Sequence, residues 1–169
     1  MTPKLLLESK ALVFDPIGFE LTNYILQEES SAYSVCKFEL NGNPILFRYA
    51  KTTPTKIGQF VTIWKRTEKG PIVPYEKSDN ITLLIVCTKS VNRFGQFVFP
   101  QSVLAEKGIS STATKAGKRA LRVYPPWDIP TSKQAQKTQD WQLSYFLEIP
   151  QHQTLDLEKA KKLYTLTKR

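Results

Sequence analysis

The sequence predicts an α+β fold, a mixed or antiparallel β-sheet with flanking N-terminal and C-terminal helices. Three observations predict it. Residues 33–51 read as strand, turn and strand, with apolar character alternating at a period of two. Four more runs rich in Val, Ile, Phe, Tyr and Trp follow before any long helical pattern. Helix-forming stretches gather at the two ends, so the strands are not interleaved with helices as in βαβ units.

Taken in order, Thr2-Pro3 is a helix start, with proline at the first helical position where its missing N–H costs nothing. Leu5, Leu6, Leu7 and Leu12 follow, and Asp15-Pro16 with Gly18 break the element. Residues 19–26 place Phe19, Thr22, Tyr24 and Ile25 at mixed helical spacing and predict a second short helix. The strand over 33–40 puts Ser34, Cys36, Phe38 and Leu40 on one face, with Val35, Lys37 and Glu39 on the other. Asn41-Gly42-Asn43-Pro44 supplies the turn, because Gly and Asn tolerate positive φ. The return strand is 45–51. Further strands are expected over 58–66, 81–89, 96–100 and 118–124. A short helix over 100–107 ends at Gly108, a left-handed cap. The best helix is 132–147, opened by Thr131-Ser132, and a charged helix over 155–166 closes the chain. Gly58-Gln59-Phe60-Val61 recurs as Gly95-Gln96-Phe97-Val98. Two strands starting alike after a glycine turn account for this echo, since a duplication needs similarity over a whole supersecondary unit.

The 169 residues, 41% hydrophobic and 23% charged, fit one domain over 1–169 and exclude a disordered or collagen-like chain. The two cysteines, Cys36 and Cys87, each fall in an apolar strand-like run and are expected to be reduced core residues. No signal peptide or membrane span is visible, so a soluble, cytoplasmic protein without membrane association is expected.

The formal charge is +9. Residues 45–66 hold Arg48, Lys51, Lys56, Lys65 and Arg66 and no acid; residues 89–127 hold seven basic residues against Glu106 alone. An excess of this kind suits a polyanionic partner. Alternation in 60–66 puts Phe60, Thr62, Trp64 and Arg66 on one face. In 118–124 it groups Lys118, Ala120, Arg122 and Tyr124, leaving Leu121 and Val123 for the core. Lysine and arginine bind phosphate and exposed aromatic rings stack on bases, so this pattern describes a nucleic-acid face. The bland alternative is core aromatics with solvated charges. The loop 51–56 adds Thr52, Thr53 and Thr55 between two lysines, where hydroxyls and backbone N–H groups can grip phosphate oxygens.

Catalytic patterns are scarce. His152 is the only histidine and sits among glutamines, the setting of a surface residue. One histidine and two separated cysteines argue against structural zinc. Gly117-Lys118 lacks the second glycine a P-loop needs at position 112, which is Thr. Neither a Gly-x-Ser-x-Gly elbow nor a dinucleotide fingerprint occurs. Glu8-Ser9-Lys10 is the one acid-x-lysine triplet of the restriction-nuclease type, and no acid precedes it. Glu28-Glu29 are in principle magnesium ligands beside the basic face, although two adjacent acids more often serve a helix end.

The run 48–66 resembles the signature of the MepB family. So do Gly95-Gln-Phe-Val-Phe-Pro100, Gly117-Lys-Arg-Ala-Leu-Arg-Val-Tyr-Pro-Pro-Trp127, and the helix from Lys133-Gln134-Ala135 through Thr138-Gln139 to Trp141-Gln142. Together they cover most of 29–146. The resemblance implies a small bacterial protein, akin to one encoded beside a multidrug efflux pump and its repressor. It carries no established catalytic residues. The expected architecture is similar to DNA-recognition modules of some restriction enzymes, a fold-level analogy.

The expected function is therefore non-catalytic nucleic-acid binding (DNA or RNA), accessory to drug resistance or its regulation, with no cofactor and no metal. Lys51, Lys56, Lys65, Arg66, Lys118, Arg119 and Arg122 are the candidate phosphate contacts, with the Thr53 hydroxyl beside them. Trp64, Tyr124 and Trp127 are candidates for stacking, with Pro125-Pro126 holding the last outward or anchoring it in the core. Arg48 and Gln134 are candidates for reading base edges. One alternative is a small-molecule or peptide-binding accessory protein, marked by a pocket lined by Trp64, Trp127 and Trp141. Another is a metal-dependent nuclease using Glu28 or Glu29.

Overall fold

A computed structural model of the chain describes residues 4–26 and 36–165. Helix α1 (Lys4–Ser9) runs on into a wider π-type turn over Lys10–Phe14. The expected start at Thr2-Pro3 lies outside the described residues. Leu5, Leu6, Val13 and Phe14 are buried, and Gly18 turns the chain away with a φ of +77°. Residues 19–26 are not a second helix. Leu21–Leu26 form strand β1, antiparallel to β2 (Cys36–Leu40), with a bulge between Thr22 and Ile25 where Asn23 has a φ of +52°. The spacing of Phe19, Tyr24 and Ile25 follows no single period, and the open edge of β2 supplied the backbone partners that an isolated helix turn lacks.

Strand β2 passes through Asn41-Gly42 into β3 (Asn43–Tyr49). Both central residues have positive φ, 50° and 79°, as a two-residue type I′ turn requires. The turn is tighter than the expected four residues, so Asn43 and Pro44 already pair with Leu40 and Glu39. Then come β4 (Lys51–Thr52), β5 (Gln59–Thr62), β6 (Trp64–Arg66), β7 (Ile72–Pro74), β8 (Leu83–Lys89) and β9 (Phe94–Pro100). Helix α2 (Gln101–Glu106), β10 (Ala120–Val123), α3 (Lys133–Leu143), β11 (Phe146–Glu148) and α4 (Leu157–Thr165) complete the order. The hydroxyl of Ser132 caps α3 by accepting from the Ala135 N–H at 3.1 Å. That helix ends at 143 rather than 147, because Phe146 and Leu147 pair as strand with Phe97 and Gln96.

The six-stranded sheet has the order β1-β2-β3-β8-β9-β11; β3 and β8 are parallel and the other pairs antiparallel, so the sheet is mixed. Alternate residues of β3 and β8 feed two cores. Ile45, Phe47, Leu83, Ile85 and Cys87 meet Leu5, Leu6 and Phe14 from the N-terminal segment and Ala160, Leu163 and Tyr164 from α4. Leu46, Leu84 and Val86 turn the other way, against Val61, Ile63, Leu121 and Val123. Those four belong to β5, β10 and the residue joining β5 to β6, so a small sheet of order β10-β5-β4 covers the second face. This three-layer stack explains why β8 and β9 are apolar on both faces.

The Gly-Gln-Phe-Val echo has a packing explanation. A Cβ on Gly58, whose φ is +87°, would lie 2.7 Å from the Tyr124 ring, and one on Gly95 would strike the Phe146 ring. Each glycine lets an aromatic from a neighbouring strand lie on the backbone. The two glutamines that follow are both buried. Gln96 donates to the Ser9 hydroxyl at 2.6 Å and to Cys87 Sγ at 3.3 Å, and its carbonyl accepts from the Tyr164 hydroxyl. One amide thus ties both terminal helices to the sheet.

Cys36 and Cys87 are free and buried, as expected. Burial pushes both thiols up to about 12 from an ordinary 9.0. Native protein at neutral pH is therefore expected to resist iodoacetamide at both positions, and unfolded protein to react at both. Native labelling as fast as unfolded labelling would contradict this burial. Because the folded pKa values are raised, the stability tied to these thiols is complete below about pH 9. It is lost as pH climbs from there toward about 12.

Candidate nucleic-acid interface

Strands β5 and β10 pair antiparallel, with Arg122 opposite Phe60 and Ala120 opposite Thr62. Strand β4 pairs with β5 on its other edge, placing Lys51 opposite Phe60. Directly opposed residues share a face. The outer face of the small sheet therefore carries Arg122, Phe60 and Lys51 in one row across three strands. Val61, Leu121 and Val123 point inward, as the alternation predicts. The two basic segments meet in one sheet.

Arg122 is held from the loop beside it. Its Nη1 donates to the Thr53 hydroxyl at 3.1 Å, the Ile57 carbonyl at 3.3 Å and the Gly58 carbonyl at 3.2 Å. Strand β10 is fixed in turn by α3. Gln142 donates to the Arg122 carbonyl at 3.0 Å and accepts from the Tyr124 N–H at 2.9 Å, so its amide serves β10 as a one-residue strand partner. One turn earlier, Gln139 donates to the carbonyls of Tyr124, Pro125 and Asp128. These two glutamines, three apart and so on one helix face, are positioning residues that the list of basic and aromatic candidates misses. Phe60 is also missing from that list, although alternation places it outward. The spacing of the glutamines and the position of Phe60 were the signals available.

The other candidates divide. Lys56, Arg66, Lys118, Arg119 and Gln134 are exposed, and Lys51, Thr53, Trp64 and Tyr124 are half-buried. The Arg66 guanidinium lies 5.6 Å above the Trp64 ring. Lys65 faces away from that pair. Its ammonium bonds Asp79 at 2.6 Å and Glu76 at 3.3 Å. Burial opposes its charge, but the two carboxylates outweigh burial and hold its pKa above the ordinary value.

Arg48 is not on the surface. It is 2% exposed and lies between the two sheets. There it donates to the Thr62 carbonyl at 3.2 Å, the Phe47 carbonyl at 3.3 Å and the Tyr75 hydroxyl at 3.3 Å. Burial lowers its pKa, and Tyr75 counters part of that effect. Sequence alternation could not foresee this, because both faces of β3 are covered by other layers. At that depth Arg48 does not reach a base edge.

The tryptophans go to separate partners. Trp127 packs edge-on against Phe146 at 5.9 Å under Arg93, and Trp141 packs against Phe99 at 5.5 Å. Trp127 thus anchors on the second core instead of extending the β10 row. Among the described residues no three His, Cys, Asp or Glu side chains come together. Glu28 and Glu29 lie outside the described residues. No helix among them is long and apolar enough to cross a membrane.

A family model described as MepB-like matches residues 27–148. The chain belongs to the MepB-like family. The matched span runs through β11 and so contains the whole β10-β5-β4 face together with α3, whereas α1 and α4 lie outside it. A crystal structure of MepB aligns with a TM-score of 0.73 and 34% identity, over 86% of this chain and 95% of that one. No curated protein matches the chain.

Proposed function

We propose that this MepB-like protein is a non-catalytic nucleic-acid-binding protein that uses the outer face of the β10-β5-β4 sheet. The observation that carries the reading is the direct pairing of β5 with β10. It merges two basic segments into one surface with Phe60 between Lys51 and Arg122. Lys56, Lys118 and Arg119 extend the charge around that row, and Trp64 with Arg66 continues it along the chain. Cations neutralise phosphates, and the aromatic rings offer stacking surfaces that tolerate any base.

Fluorescence anisotropy with a labelled single strand and a labelled duplex at low salt tests the reading. Wild-type, folded protein that binds neither would end it. Trp64→Ala should weaken binding to the single strand by about 1–3 kcal/mol and leave the salt slope unchanged. Its melting temperature should stay near wild type because the ring is half-exposed. A large fall in melting temperature would instead make Trp64 a structural residue.

A further inference from the structure

The outer face ends in a cleft of about 290 Å³. The loop 55–57 forms one wall and residues 130–135 the other, with Arg122 and Tyr124 between them. Its lining residues include Arg122, Lys56, Thr55, Thr131 and Ser132, whose side chains end in a guanidinium, an ammonium and three hydroxyls. Two cations and three hydroxyls around one small space suit a phosphate group.

The geometry of Arg122 strengthens this match. All three of its hydrogen bonds run through Nη1, to acceptors on the loop 53–58. The side chain is thereby fixed while Nη2 and Nε keep their donors. A guanidinium held at one nitrogen presents its remaining N–H groups at a reduced entropic cost, the arrangement that phosphate recognition rewards. Ser132 accepts from Ala135 N–H at 3.1 Å, which leaves its own O–H available to donate. The Tyr124 ring, packed on Gly58, gives the cleft an apolar wall beside the charged groups.

Size separates a polymer groove from a subsite. The volume lies at the foot of the range for small-molecule pockets, about 300–1,000 Å³, and suits one nucleotide rather than a run of them. We propose that this cleft seats the phosphate of a single nucleotide, gripped by Arg122, Lys56 and the Thr55, Thr131 and Ser132 hydroxyls, with its sugar or base against Tyr124. The inference rests on the nucleic-acid reading of the adjoining face. The phosphate is either an end monoester or an internal diester of a strand lying across that face.

The test uses adenosine monophosphate, adenosine and labelled 12-mers bearing a 5′-phosphate, a 3′-phosphate or neither. Amide chemical shifts of the full chain should move at 53–58, 122–124 and 130–136 with adenosine monophosphate, and about tenfold less readily with adenosine. Thr131→Val, on an exposed residue, should weaken this binding about fivefold, and Arg122→Lys, which keeps the charge but loses the fork, about tenfold. A 12-mer whose affinity rises about tenfold with an end phosphate identifies the monoester. Equal affinities that both variants weaken identify the diester. Equal shifts with adenosine, shifts elsewhere, or 12-mer affinities unmoved by both variants overturn the cleft while leaving the face. A wild-type chain that binds no 12-mer at low salt overturns the face reading itself.

Discussion

Raising salt from 50 to 200 mM is expected to weaken binding about 50-fold on a single strand and about 150-fold on a duplex. Six exposed or half-buried cations of the two basic segments remain once Arg48 and Lys65 are set aside: Lys51, Lys56, Arg66, Lys118, Arg119 and Arg122. About four engaging together, at roughly 0.7 per contact on a single strand and 0.9 on a duplex, give slopes of log affinity against log salt of about −2.8 and −3.6. A fourfold change in salt then yields the stated losses. Lys118→Ala should flatten the slope by about one unit and weaken all sequences alike. Lys65→Ala should leave the slope unchanged, because its ammonium is already held by Asp79 and Glu76. Affinity measured at four or more salt concentrations checks both variants. A slope near zero would remove phosphate neutralisation as the source of binding.

Gln96→Leu should lower stability by about 3 kcal/mol, a fall of about 6–12 °C in melting temperature for a chain of this length. The substitution keeps the volume but removes the acceptor of the Tyr164 hydroxyl and one partner of Ser9, all of them buried. Ser9 retains a bond to the Leu5 carbonyl at 2.7 Å, so Tyr164 bears most of the loss. Tyr164→Phe in the same chain should recover part of it, because removing both polar partners leaves no stranded group. Thermal unfolding of the two single variants and the double variant measures the coupling. Strict additivity would show that the amide and the hydroxyl act independently. Weaker amide protection along α4 should accompany Gln96→Leu, since Tyr164 ties that helix to the sheet through Gln96.

Much of this molecule is written in short-range pattern. Asn41-Gly42 specifies a tight turn through two positive φ values, and the flanking alternation sets which residues of β2 are buried. The same period of two sorts Val61, Leu121 and Val123 inward from Phe60, Thr62 and Arg122. These are properties of a strand and its immediate neighbours, so the sequence carries them. It also concentrates charge in the two segments that β5 and β10 later join.

Where a residue's fate depends on a distant layer, pattern fails. Residues 21–26 and 146–148 became edge strands because β2 and β9 offered them backbone partners, although the sequence predicts helix over 19–26 and from 132 through 147. Arg48 shares its face of β3 with Leu46 and Ala50, and the segment from Val61 to Ile63 closes over it and leaves backbone and phenol oxygens as its acceptors. Lys65 meets its carboxylates only after β6 and β7 fold back and bring Glu76 and Asp79 to it. By itself the sequence determined the α+β class, the hairpin, the inward and outward faces of β5 and β10, and their charge. The tertiary structure alone decided which cations stay on the surface. It also set the row of Arg122, Phe60 and Lys51 and opened the cleft beside Tyr124, because strand pairing and layer packing join residues that no local period connects.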